Sequence, residues 1–335
     1  MNKVAVIILN WNGEKLLKEF LPSVIENTDV TIADIFVVDN GSSDASVEVL
    51  QSEFPQVKLI KFSENYGFAE GYNRAIKMIN YPYAVLLNSD VATSPKWVNR
   101  LYEYMNSNPN IGACQPKIKS YTDKEYFEYA GAAGGFIDKN GYPYCRGRIF
   151  DTVEKDNGQY EDVISVFWAT GAALMVRTDV FLNVGGLDKN FFAHMEEIDL
   201  CWRILLAGYE IVAIPQSVVF HLGGGSLPAS NPRKTYLNFR NNLLMLHKNL
   251  PDSSRGRRLF IRRLLDAVAW LKFMMAFDFK NANAILLAHK DFKTMRKLYT
   301  SHPLVDLLKK RLDCQRNILF DYYLRGKKHG KFMTK

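Results

Sequence analysis

The sequence predicts an α/β fold built on a doubly wound, mainly parallel sheet and followed by a helical C-terminal region. Short β-branched runs alternate with amphipathic stretches through the first third of the chain, the rhythm of βαβ units. Polar clusters follow directly on several of those runs, as expected at strand ends on the ligand-binding rim of an open sheet. Beyond about Thr235 the strand signals stop, and Leu, Lys, Arg, Phe and Met recur at helical spacing.

The first strand is Val4 to Leu9. This run is too short for the apolar core of a signal peptide and leads into Asn10-Trp11-Asn12 without a small-residue cleavage site. Ile35 to Val38, Val57 to Phe62 and Tyr83 to Leu87 continue the strand series. Between them, Glu14 to Glu26 opens a helix after Gly13, Ser43 or Asp44 can cap the next, and Pro95 suits a first helical turn. The Gly-, Tyr- and Asp-rich stretch from Tyr121 to Asp162 reads as hairpins and loops. An apolar segment from Val163 to Val176, a helix from Glu196 to Ala207 and a strand near Ile211 to Ile214 should then supply the last, mixed strands of the sheet. The later apolar stretch Leu264 to Phe279 is interrupted by Asp266, Lys272 and Asp278, so no transmembrane helix is expected.

At 335 residues, 47% hydrophobic and 23% charged, the chain has ordinary globular composition and length for one or two domains. A formal net charge of +8 suits nucleic acid, anionic lipid or phosphorylated small molecules and by itself chooses none of them. Cys114, Cys145, Cys201 and Cys314 are scattered, with no C-x-x-C pair for zinc and no dense disulfide framework, which fits a reducing cytoplasm.

Each strand-end cluster admits two readings. Asn10-Trp11-Asn12-Gly13 and Asp39-Asn40-Gly41-Ser42-Ser43-Asp44 are either turn chemistry or a nucleotide cradle, in which Asp39 accepts hydrogen bonds from a base or ribose. Leu86-Leu87-Asn88-Ser89-Asp90 ends an apolar run at a carboxylate. Asp90 either caps a turn or anchors a hard dication, which takes a few protein carboxylates together with substrate phosphate oxygens. In the loop Asn65 to Ala75, Gly67 and Gly71 permit close backbone approach, and Asn65, Asn73 and Arg74 can reach a ribose or diphosphate; the alternative is a loop that only packs.

Together these pieces resemble the nucleotide-binding half of glycosyltransferase family 2, which has the GT-A fold. The matching residues are Ile8 to Asn12, Val37 to Asp44, Asn65 to Asn73 and Asn88-Ser89-Asp90. The family's D-x-D motif here begins with Asn88, as in the subgroup resembling bacterial rhamnosyltransferases, leaving Asp90 as its carboxylate. The resemblance implies that Asn10, Asn12, Asp39, Asn65, Gly67, Gly71, Asn73, Asn88 and Asp90 hold the nucleotide sugar. It also implies that Mg²⁺ or Mn²⁺ binds at Asp90 and at His221, which follows another strand and precedes Gly223-Gly224-Gly225-Ser226.

Farther on, Phe167 to Ala172 and Val184 to Asp188 look like the family's loops around sugar and acceptor, so Trp168, Thr170 and Gly171 are implied there. Phe191 to Arg203 looks like its E-D-x-D-L-x-x-R segment. The base position falls on Glu197, with Glu196 and Asp199 shaping the acceptor site; acids in a first helical turn are also favoured by the helix dipole without any catalytic role. A base is needed because the acceptor hydroxyl loses its proton as it attacks the anomeric carbon.

The implied organisation is a GT-A catalytic domain over residues 1–234 and a helical region over 235–335. The implied partners are a UDP- or dTDP-sugar, rhamnose being favoured by the subgroup, and a glycan or lipid-linked acceptor of bacterial surface polysaccharide synthesis, with no nucleic acid. Arg255, Arg257, Arg258, Arg262 and Arg263 precede a stretch bearing Trp270, Phe273, Met274, Met275, Phe277 and Phe279. This segment, with the basic tail Arg325 to Lys331, either makes peripheral membrane contact or packs with its cations solvated. The expected location is the cytoplasm or the inner face of the membrane. A dehydrogenase is disfavoured because no G-x-G-x-x-G follows the first strand. A sugar nucleotidyltransferase and an inactive, nucleotide-binding relative are the alternatives.

Overall fold

The computed structural model describes residues 3–223 and 231–330. Gly224, Gly225, Ser226 and Lys331, named above, lie outside the described residues. Strands β1 (Val4–Asn10), β2 (Ala33–Asp39), β3 (Lys58–Lys61) and β4 (Tyr83–Leu87) lie side by side in the order β3-β2-β1-β4, all parallel. Helices α1 (Glu14–Asn27), α2 (Ser46–Glu53) and α3 (Gly67–Ile79) make the crossovers. Strand β1 is buried on both faces, and its period of two divides it between two cores. Val4, Val6 and Ile8 join the cluster with α1, while Ala5 and Ile7 join the cluster with α3.

Two local expectations change. Helix α2 starts behind Ala45, and Asp44 instead accepts from Ser46 N at 3.1 Å and from Glu14 N at 3.0 Å, tying two helix starts together. Pro95 lies ahead of α4 (Trp97–Ser107), whose first residue follows Lys96 at φ 61°.

After β5 (Val91–Thr93) and α4 comes β6 (Ile111–Ser120). The Gly- and Tyr-rich stretch then folds into a small antiparallel sheet of β7 (Gly135–Ile137), β8 (Pro143–Cys145), β9 (Arg148–Ile149) and β10 (Thr152–Val153). Next come β11 (Ile164–Ser165), β12 (Ala173–Arg177), α5 (Thr178–Asn183), α6 (Glu196–Leu206) and β13 (Glu210–His221). Strand β12 enters antiparallel between β4 and β6, β13 runs parallel to β6, and the large sheet is mixed, with nine strands among the described residues. The strand expected near Ile211 to Ile214 runs on through an irregularity before Val218, and this extension delivers His221 to the rim.

The remainder is helical: α7 (Pro232–Asn249), α8 (Asp252–Met275), α9 (Phe279–Met295), α10 (Leu307–Lys310) and α11 (Ile318–Tyr323). Among the described residues no helix is long and apolar enough to cross a membrane. All four cysteines are buried and free.

Candidate active site

The ends of β1 and β2 form one end of the rim. Buried Asn10 donates from Nδ2 to Asp39 Oδ1 at 3.2 Å and to Ser42 Oγ at 3.3 Å, while Asp39 Oδ2 accepts from Ser42 N at 3.0 Å. Asn10 Oδ1 is buried against Gly13 without a donor among the described residues. Exposed Asn12, at φ 49°, accepts at Oδ1 from Ser43 N at 2.8 Å. That bond staples the two strand-end loops together.

Next along the rim, side chains expected to touch nucleotide also hold the loop itself. Asn65 Oδ1 accepts from Gly67 N at 2.8 Å and from Asn40 Nδ2 at 2.9 Å. Gly67 adopts φ +74°, where a side chain would be strained. A Cβ on Gly71 would meet Leu9 Cδ2 at 2.8 Å, so this glycine lets α3 lie close on β1. Asn73 exchanges two hydrogen bonds with the backbone of Leu187, at 2.8 and 2.9 Å, and so clamps the loop after α5 rather than pointing freely to the rim.

Asp90, just beyond β4, is 8% exposed, and its Oδ1 lies 3.2 Å from His221 Nε2. The far imidazole nitrogen, Nδ1, lies 3.4 Å from buried Glu128 Oε2. Burial by itself would lower the basicity of His221, but its close contacts with the carboxylates of Asp90 and Glu128 win and raise it to about 10. Burial likewise opposes ionisation of Asp90, and His221 outweighs it, holding the carboxyl below its ordinary value. Asn88 Nδ2 stands 3.5 Å from the same Nε2.

A divalent cation fits this donor set in one way. No group of three or more His, Cys, Asp or Glu among the described residues is arranged to hold an ion. Carboxylate and imidazole nevertheless converge on one point, as ligands that leave the remaining positions to phosphate oxygens.

The opposite wall comes from the loop before β12 and the start of α6. Asn88 N donates to Ala172 O at 3.0 Å, which locks the Asp90 loop to residues 170–172. A Cβ on Gly171 would lie 3.7 Å from Glu197 Cβ and 3.6 Å from Phe68 Cζ, so the missing side chain leaves Glu197 facing this loop. Thr170 is buried, donates from its backbone to Gln115 Oε1 at 3.0 Å and caps Ala172 N through Oγ1. Trp168 is also buried; its Nε1 donates to Phe136 O at 2.8 Å, and a Cβ on Gly135 would fall 2.2 Å from its ring. It forms the floor beneath the loop.

The acids of α6 divide. Burial pushes Glu197 from its ordinary 4.5 up to about 6, and its Oε2 has no hydrogen-bond partner among the described residues. Glu196 is raised well above its ordinary value by burial and then by the charge of Glu197, again with Oε2 unpartnered. Asp199 turns the other way. Burial opposes its charge, but Arg203 Nη2 at 2.8 Å, Lys248 Nζ at 2.9 Å and Asn249 Nδ2 at 2.7 Å keep it ionised and bind it to α7. It has no exposed surface.

Tertiary structure also supplies residues that the sequence did not single out. Glu128 comes from a loop with no periodic signal. Asn241 sits on α7, and its Nδ2 reaches the carbonyls of Phe191, Ala193 and His194 at 2.9, 2.8 and 2.7 Å. Those carbonyls belong to the turn before α6, where Phe192, His194 and Met195 all adopt positive φ, a strained path for residues with side chains. A sequence signal for Asn241 existed: Asn241-Asn242 stands immediately before the apolar run Leu243-Leu244-Met245-Leu246.

Comparison with known proteins gives a consistent result. The model of the family described as Glycosyl transferase family 2 matches residues 5–177. Rhamnosyltransferase WbbL of Escherichia coli (strain K12) is 37% identical over 229 residues, covering 65% of this chain and 83% of that protein. The N-acetylglucosaminyl-diphospho-decaprenol L-rhamnosyltransferase of Mycobacterium tuberculosis is 26% identical over 234 residues, covering 64% of this chain and 75% of its own. The crystal structure of GalNAc-T7 with UDP, GalNAc and Mn²⁺ superposes with a TM-score of 0.58 at 15% identity. That superposition spans 75% of this chain and 49% of the GalNAc-T7 chain, a likeness of fold.

Proposed function

The chain belongs to glycosyl transferase family 2, and from that premise we propose that it is an inverting, divalent-metal-dependent enzyme that moves a sugar from a nucleoside diphosphate to a hydroxyl of a lipid-linked glycan. Its relatives named as rhamnosyltransferases make dTDP-rhamnose the first donor to try and UDP-sugars the second. The relative named for an N-acetylglucosaminyl-diphospho-decaprenol acceptor supports a lipid-diphosphate-linked acceptor in surface polysaccharide synthesis.

One observation carries the reading: the Asn88 N–Ala172 O bond joins the Asp90–His221 pair to the loop that faces Glu197. This tie supports leaving-group and base functions carried on adjoining loops.

Asn10, Asp39 and the loops they staple would seat the nucleoside. Asp90 and His221 would hold Mg²⁺ or Mn²⁺ beside the diphosphate. A dication held there would supply neutralisation of the charge that develops on the departing phosphate. Glu197, ionised above pH about 6, takes the proton of the acceptor hydroxyl. As that oxygen bonds to the anomeric carbon, the carbon–oxygen bond to the diphosphate breaks and its electron pair leaves with the nucleotide. Attack opposite the leaving group inverts the carbon and requires no covalent sugar–enzyme intermediate. Glu196 and the floor over Trp168 shape the acceptor side.

The test is a thermal-shift panel of nucleoside diphosphates with and without Mn²⁺, followed by transfer from the best nucleotide's sugar and NMR assignment of the product anomer. Metal-dependent stabilisation and an inverted product are expected. Stabilisation without any transfer would favour an inactive relative, and a retained anomeric configuration would remove single displacement.

A further inference from the structure

Helix α8 is built inside out. Its inward side buries Ser254, Leu259, Arg262 and Asp266. Arg262 Nε lies 2.7 Å from Asp266 Oδ1, His289 Nε2 lies 3.0 Å from Asp266 Oδ2, and the guanidinium stacks 3.8 Å from the centroid of Tyr142. The outward side carries Phe260, Leu264, Val268, Leu271 and Met275, each between 50% and 67% exposed. Their spacing places them on one helical stripe. The ridge runs on beyond the helix end into Phe277 and Phe279, exposed 79% and 56% with ring centroids 6.2 Å apart. A surface helix in water normally does the opposite, burying its apolar stripe and solvating its ions.

Charge indicates what covers the ridge. Arg257, Arg263 and Lys272 are exposed on α8, and Lys280, Lys290 and Lys293 are exposed on α9. Between residues 253 and 293 no described Asp or Glu is exposed. Asp266 is buried, Asp278 caps α9 through Asn281 N, and Asp291 accepts from the Tyr236 hydroxyl at 2.6 Å. A second copy docked through a two-fold axis would set this cationic patch against itself. Anionic headgroups match the cations, while the acyl boundary beneath them accepts Phe, Leu, Val and Met.

We infer that the outer face of α8, from Arg257 to Phe279, lies in the plane of an anionic lipid bilayer and anchors the protein to it without spanning it. The inference rests on the build of α8 and holds whatever donor or acceptor the enzyme uses.

Flotation of the full chain with two kinds of vesicle tests it: phosphatidylcholine alone, and phosphatidylcholine with about one quarter phosphatidylglycerol. Binding to the anionic vesicles, weakened by salt, is expected. The combined variant Phe260→Ser, Leu264→Ser, Val268→Ser and Leu271→Ser should lose at least roughly tenfold in binding and keep its melting temperature, because these side chains are exposed. Combined Arg257→Gln, Arg263→Gln and Lys272→Gln removes no apolar group and should lose binding to a similar or greater extent, roughly tenfold to a hundredfold. Failure of the wild-type chain to float with anionic vesicles, or undiminished flotation of both variants, overturns the inference. A concentration-dependent dimer in sedimentation that the serine substitutions dissociate also overturns it, by assigning the ridge to a second copy. Nucleotide-induced thermal shift, measured on the same samples, reports separately on the reaction proposed above.

Discussion

Asp90 Oδ1 and His221 Nε2 stand 3.2 Å apart, brought to one point of the rim from β4 and from the far end of β13. A carboxylate and an imidazole so placed form an ion pair in the free protein and can share a metal ion beside a diphosphate. Asp90→Asn should abolish the Mn²⁺-dependent part of the nucleotide thermal shift and lower transfer by about a hundredfold or more. Retained metal-dependent transfer in that variant would refute the role. His221→Ala should weaken metal dependence by about 10- to 100-fold.

Glu197 predicts an acid limb in the pH–rate profile. With its carboxyl raised to about 6, transfer should climb as pH rises through 6 and level off above it. Glu197→Gln should keep donor binding and lose about 10²- to 10⁴-fold in kcat.

The same shift has a stability consequence of opposite sign. The folded chain holds this proton more tightly than the unfolded chain, whose carboxyl sits near 4.5, so ionisation of Glu197 costs stability as pH rises through 4.5 to 6. Glu197→Gln should therefore be more stable than wild type at pH 8 and equal to it below pH 4.5. Melting curves across this range check the prediction; a variant less stable at every pH would contradict it.

Asn241 acts through the turn before α6. Asn241→Ala would leave the carbonyls of Ala193 and His194 without this side-chain donor, leave Phe191 O with Arg240 Nη2, and let the strained turn relax. A fall in kcat of about tenfold or more, with the donor's Kd unchanged, is expected from a displaced base. Equal loss in donor binding would point to general unfolding instead.

Asp199 is ionised inside the junction of α6 and α7. Asp199→Ala would leave Lys248 and Arg203 without this partner and should lower stability by about 3–5 kcal/mol, read from denaturant unfolding. Were Asp199 an acceptor contact, transfer would fall with stability unchanged.

Much of the frame was readable in the sequence by itself, because its causes are local. Short β-branched apolar runs specified β1 to β4, and the polar residues at their ends marked the rim. The family resemblance, carried by short contiguous strings, agreed with both. Other features depended on how the segments packed. Asp44 and Pro95 had sensible capping positions, yet packing moved both helix starts. Glu197 and Asp199 share one helical turn, but the turn's rotation decides that Glu197 faces Gly171 while Asp199 faces Lys248. Asn73 read as a nucleotide contact, and packing also sets its amide against the Leu187 loop. Glu128 reached His221 from a loop without periodicity. In α8 the amphipathic pattern was visible, but its polarity was not: a hydrophobic stripe says that a helix has two faces, and only the Arg262–Asp266–His289 cluster beneath it decides which face is turned outward.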